Sequence, residues 1–197
     1  MIIFVFIILI FLTFFYFNKN KAEQPIQKDI LSQVEDYQQQ YWSIIKKHNM
    51  FLQIGEVDNN VQQDKTDLKK LYQNVENKIN QNNKFLSELN NLNNKYNADI
   101  KNAQSQIEIN IVANEYMENT DKILNNVYQE IKINTDSKDF ELLKTSEIKW
   151  IKDLEEYQKF IEEQGFGSII GLLYANATQD IKHFRTLLLI YYLEQNS

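Results

Sequence analysis

Across residues 56–164 the chain has neither glycine nor proline, and apolar residues return at Val61, Leu68, Val75, Leu89 and Tyr96 in steps of seven, with Asn82 filling the gap. Val57, Leu71, Phe85 and Leu92 run beside them as a companion seam, and Ile79, Leu86, Ile100 and Ile107 lie on the adjoining side. This spacing predicts long helices with a coiled-coil-like stripe. Asp64, Lys78 and Asp99 interrupt it, and polar residues at seam positions weaken a long self-associating coil. Two arrangements are therefore open. Residues 57–107 pair with a second copy, or they pack on an earlier helix of the same chain marked by Ile30, Val34, Tyr37, Tyr41, Ile44 and Ile45.

The last third repeats the helical pattern three times. Met117, Thr120, Leu124, Val127 and Ile131 share one face. The stretch NTDSKD then reads as a polar turn in which Asp136 or Ser137 caps the next helix. Phe140, Leu143, Glu147, Trp150, Leu154, Tyr157 and Ile161 follow three-four spacing, and Ile170, Leu173, Ala177, Ile181, Phe184, Leu188 and Tyr191 mark a third apolar face. Three such helices close a small core around Trp150.

Before these helices stands a different kind of segment. Residues 1–17 carry no charge, and only Thr13 and Tyr16 have polar groups, a length near the lower end of the roughly 17 to 25 residues that span a bilayer. The absence of a polar stripe favours a transmembrane helix over a core helix. Bulky Phe14, Phe15, Tyr16 and Phe17 offer no small-x-small cleavage site, which favours an uncleaved single-pass anchor over a signal peptide. Lys19, Lys21 and Lys28 follow the segment and argue for a cytoplasmic bulk by the positive-inside tendency. The organisation expected is a membrane anchor at 1–17, a linker at 18–29, a long helical region at 30–112 and a helical domain at 113–195.

Composition narrows the chemistry. The 197 residues carry a net charge of −6, which gives no reason to expect nucleic acid as a partner. There is no cysteine, so a disulfide framework, a zinc ribbon and a thiol nucleophile are all excluded. His48 and His183 lack companions at metal-ligand spacing and read as ordinary surface or boundary residues. Three of the four glycines fall in EEQGFGSIIG, as in a phosphate-binding loop. Such a loop needs a preceding strand, whereas KDLEEYQKFIEEQ is an acidic helix that repels phosphate. Gly165 is instead expected to cap a helix, Gly167 and Ser168 to form the turn, and Gly171 to permit close packing. Adjacent pairs such as Glu155 with Glu156 do not flank a cleft, so no catalytic set, metal site or cofactor is expected and the protein reads as a non-enzyme.

TDKILNNVYQEI, with Asp121, Leu124, Asn125 and Tyr128, is followed by LLKTSEIKW, with Leu142, Leu143, Ser146 and Trp150, and then by Gly167, Ser168 and Arg185. In order and distance, residues 114–193 resemble the lysozyme-inhibitor LprI-like domain family of bacterial envelope proteins. The resemblance implies a helical C-terminal domain and a binding function, with a lysozyme-type muramidase as the target. It implies an extracytoplasmic location, against the positive-inside argument. The chain departs from the family pattern at Glu147, where glutamine is usual, and at Asp153, Leu154 and Glu155, where Tyr-Arg-Asp is usual. Near Gln158 and Ala177 it lacks the family's cysteine pair. Asp121, Asn125 and Arg185 lie beside apolar face residues and are expected to form a buried polar network.

These readings combine into an all-α, membrane-anchored binding protein with long coiled-coil-like helices and a three-helix LprI-like domain. Its acidity suits a cationic lysozyme-type enzyme. The alternative is a tethered scaffold that forms a homo-oligomer through residues 57–107.

Overall fold

The computed structural model describes residues 29–47, 49–52, 59–165 and 170–196. Six α-helices are present among them: α1 (Ile30–Lys47), α2 (Asn59–Glu76), α3 (Lys84–Asn102), α4 (Gln106–Asn134), α5 (Ser137–Glu163) and α6 (Ile170–Gln195). A 3-10 turn, Met50–Leu52, follows α1. The all-α expectation holds. The membrane-anchored architecture and single-pass localisation do not, because no helix among the described residues is long and apolar enough to cross a membrane. Residues 1–17, on which that expectation rested, lie outside the described residues.

Local chemistry sets the helix ends. Asn83 caps α3, its side-chain oxygen accepting from the N–H groups of Phe85 at 3.0 Å and Leu86 at 3.2 Å. At the start of α4, Ser105 Oγ accepts from the Glu108 N–H at 3.2 Å, while Glu108 reaches back to the Gln104 N–H at 2.6 Å. That is close to a capping box. Asp136, one of the two caps expected, accepts from the N–H groups of Lys138 and Asp139 at 2.9 and 3.1 Å. Those bonds favour the ionised carboxylate and hold Asp136 below its ordinary pKa. Beyond α5, Gly165 adopts φ of 69°, the left-handed geometry of a helix stop. Gly171 is not a close-packing glycine, since a Cβ there would meet nothing within 4 Å.

The heptad seam does not form one continuous coil. Asn80 Oδ1 accepts from the Asn82 N–H at 2.9 Å, so the asparagine-rich stretch after α2 folds on itself and ends the helix. The capped start of α4 breaks the pattern a second time. Val61, Leu68, Leu71, Val75, Ile79, Phe85, Leu86 and Leu89 are all buried within the chain, whereas Ile107, beyond the second break, is 72% exposed.

The core is organised around α6, which packs on all five other helices and most extensively on α4. The expected single apolar face understates this helix, because every residue from 183 to 193 is buried. A helix apolar on all sides must be surrounded. Phe184 stacks on Tyr41 of α1 at 4.6 Å between ring centroids and meets Tyr72 of α2 edge-on at 4.9 Å. Near its end, Glu194 accepts from the Asn80 N–H at 2.6 Å and from Asn83 Nδ2 at 2.8 Å, tying the α2–α3 turn to α6.

Candidate functional site

A helix sealed in the core over residues 183–193 has little room there for polar side chains, yet α6 carries Asp180, His183 and Arg185 within two turns. Asp180 and His183, three residues apart, share a side, while Arg185 points roughly the opposite way. Two separate polar clusters result.

Arg185 is fully buried. Its Nε donates to Glu147 Oε1 at 2.9 Å and its Nη2 bonds the same oxygen. Nη2 also reaches Ser146 Oγ at 3.3 Å, and Nη1 reaches Gln38 Oε1 at 3.5 Å. The guanidinium carbon lies 5.8 Å from the centre of the Trp150 ring. The result is a closed ion pair joining α1, α5 and α6. A carboxylate at position 147 balances the arginine where a glutamine would leave a net buried charge.

On the other side of α6 hydroxyl groups supply most of the hydrogen bonds and no ion pair forms among the described residues. Tyr41 donates to Asp180 Oδ2 at 2.7 Å, and Tyr72 donates to the Asp180 carbonyl at 3.0 Å. Burial pushes the Asp180 carboxyl up to about 6, with the Tyr41 and Tyr72 hydroxyls acting in the opposite direction. Burial alone lowers His183 to about 4, so its imidazole is neutral at pH 7, with Nδ1 2.5 Å from the Tyr116 hydroxyl. Gln179 Nε2 is held by the Ala113 carbonyl at 2.8 Å. This cluster forms the floor of a cleft of about 500 Å³ between α2, α3, α4 and α6. Phe51, Tyr72, Tyr96 and Tyr116 supply its rings.

The sequence-predicted residues are dispersed. Trp150 and Arg185 meet in the ion-pair cluster. Asp121 is bound by Lys182 at 2.8 Å, and exposed Asn125 returns its amide to the Asp121 carbonyl at 2.8 Å. The expected Asp121–Asn125–Arg185 network is therefore not assembled. Leu124 packs against the core, as does Tyr128, whose ring lies 5.3 Å from that of Phe140. Gly167, Ser168 and His48 lie outside the described residues. Among the described residues, no group of three His, Asp or Glu is placed to hold a metal ion. Close to where the resemblance implies cysteines, Gln158 Nε2 donates to Thr178 Oγ1 at 3.0 Å, a hydrogen bond between α5 and α6.

The cleft went unread in the sequence because its residues come from four helices. Asp180 and His183 were one available signal, two titratable groups three apart on an apolar helix. His183 is a buried core residue, not the surface or boundary histidine expected. Residues 97–189 match the family model described as Lysozyme inhibitor LprI, which overlaps nearly all of the segment singled out by its motifs. No curated protein and no solved structure matches the chain.

Proposed function

We propose, from the match of residues 97–189 to the Lysozyme inhibitor LprI family model, that the protein binds and inhibits a cationic lysozyme-type muramidase. The family match carries this reading, and the charge distribution supports it. At the end of α5, Glu155, Glu156, Glu162 and Glu163 are all exposed, with Lys159 the lone cation among residues 153–165. An acidic end of this kind steers a cationic partner toward the α5–α6 connection. The contact assigned is residues 165–171, with Gly167 and Ser168 entering the substrate cleft of the enzyme.

The test is lysis of a bacterial cell-wall suspension by lysozyme in the presence of the full chain. Dose-dependent inhibition is expected. It should weaken in the quadruple variant Glu155→Lys, Glu156→Lys, Glu162→Lys, Glu163→Lys and in the double variant Gly167→Ala, Ser168→Ala. Full lysis at a large molar excess of folded protein would sink the reading, and unchanged inhibition by the double variant would sink the contact. The scaffold alternative draws little support from the fold, since the seam residues Val61, Leu68, Leu71, Val75, Phe85 and Leu89 are buried in the chain's own core, although Ile107 at the far end of the stripe is exposed.

A further inference from the structure

The cleft floored by Asp180 and His183 has a lining that selects a ligand class. Phe51, Tyr72 and Tyr96 are partly exposed rings, while Tyr116 lies beneath, its centroid 4.5 Å from that of Tyr96. Around the rings stand planar polar groups, the amides of Gln73, Asn93, Asn176 and Gln179 and the carboxyls of Glu76 and Asp180. The only lysine in the lining is Lys69. One cation against two carboxylates does not make a trap for phosphate, and four amides are more than an apolar ligand would use. Rings that meet C–H faces, with amides and carboxyls that meet hydroxyl groups at the rim, match a sugar. The volume of about 500 Å³ lies within the range of small-molecule sites.

The polar floor is also fixed in advance. Tyr116 is held by His183 at 2.5 Å, Gln179 by the Ala113 carbonyl at 2.8 Å and Asp180 by Tyr41 at 2.7 Å. Pre-ordered groups lose little entropy when a ligand arrives. Tyr72, Gln73, Glu76, Asn93 and Tyr96 precede residue 97, whereas Tyr116, Asn176 and Asp180 fall inside the family-matched segment. The cleft therefore arises where the LprI-like segment meets the helices before it.

We infer that this cleft is a binding site for a neutral oligosaccharide, seated on Tyr72 and Tyr96 and hydrogen-bonded by Asn93, Asn176 and Asp180. This site does not depend on the muramidase reading, and the two have separate readouts.

The experiment is a titration of the full chain with chitotriose and with maltotriose, followed by backbone amide chemical shifts, with choline as a cationic control. Saturable shifts with at least one saccharide are expected, confined to residues around the cleft. Tyr96→Ala should weaken that binding by about tenfold or more, the factor equal to 1.4 kcal/mol. Asn176→Ala, at an exposed position, should weaken it several-fold without disturbing the fold. Lys132→Ala should have no effect, since it lies sixteen residues beyond Tyr116, about 24 Å along α4. Three outcomes overturn the inference: no saturable shift with either saccharide, cleft shifts with choline alone, or saccharide binding that a folded Tyr96→Ala variant retains in full.

Discussion

Each of the two polar clusters on α6 contains a carboxyl group and a nitrogen base, yet they behave as opposites. Around Arg185 a full positive charge meets a full negative one, and Trp150, Ser146 and Gln38 close over the pair. Around Asp180 and His183, burial works against ionisation of both groups, and aromatic hydroxyls supply the hydrogen bonds. The difference lies in access. A sealed pair has to neutralise itself, whereas a cluster at the floor of a cleft can leave hydrogen-bonding capacity for something that enters.

The largest effect should come from breaking the sealed pair. Arg185→Ala leaves Glu147 as an uncompensated buried charge and is expected to cost about 3–5 kcal/mol in urea denaturation. Replacing both partners together, Arg185→Met with Glu147→Leu, should recover most of that loss. A double variant no more stable than the single one would show that the pair does more than neutralise itself.

Acid separates the second cluster into its two members. His183 titrates at about 4 in the folded state against an ordinary 6.5, so its contribution to stability is complete above 6.5 and lost as pH falls toward 4. Asp180 titrates at about 6 against an ordinary 3.8, so its contribution is complete below 3.8 and lost as pH rises toward 6. Between pH 4 and 6 the two oppose each other, each on the order of 3 kcal/mol. Asp180→Asn should therefore lose stability more steeply than the parent on acidification across this window, and His183→Gln should lose it less steeply or gain. Parallel profiles for parent and both variants would remove the distinction drawn between the clusters.

Smaller changes sharpen the same contrast. Tyr41→Phe deletes the hydroxyl on Asp180 and should cost about 1–2 kcal/mol at pH 7, less once Asp180 is protonated. Thr178→Val removes the neutral hydrogen bond to Gln158 and should cost about 1 kcal/mol, with no pH dependence across the same window. Thermal unfolding at two pH values separates these cases.

Much of the fold was legible because helix periodicity and capping are local. The positions of α1 and α5, the Asp136 cap and the Gly165 stop all follow from residues within a turn or two of one another. The heptad reading carried too far, across an asparagine-rich turn whose side chains compete with the backbone for hydrogen bonds. It nonetheless marked buried residues from Val61 to Leu89, but not beyond, where Tyr96 and Ile100 are half-buried and Ile107 is exposed. The motif residues located the LprI-like segment but not a common site, since Asp121 finds Lys182 and Arg185 finds Glu147. Tyr72, Tyr96, Tyr116 and His183 come together only after four helices have packed, and no spacing along the chain encodes that meeting.

The position of α6 also has a consequence for how the protein is made. A ribosome delivers the chain from its N-terminus, so α1 to α5 emerge before the helix on which all of them pack. Until residues 183–193 leave the exit tunnel, Tyr41 lacks Phe184, and α1 to α5 lack the buried helix at the centre of their shared core. A chain cut short before His183 exposes the apolar faces that α6 covers, a sticky fragment for chaperones and proteases.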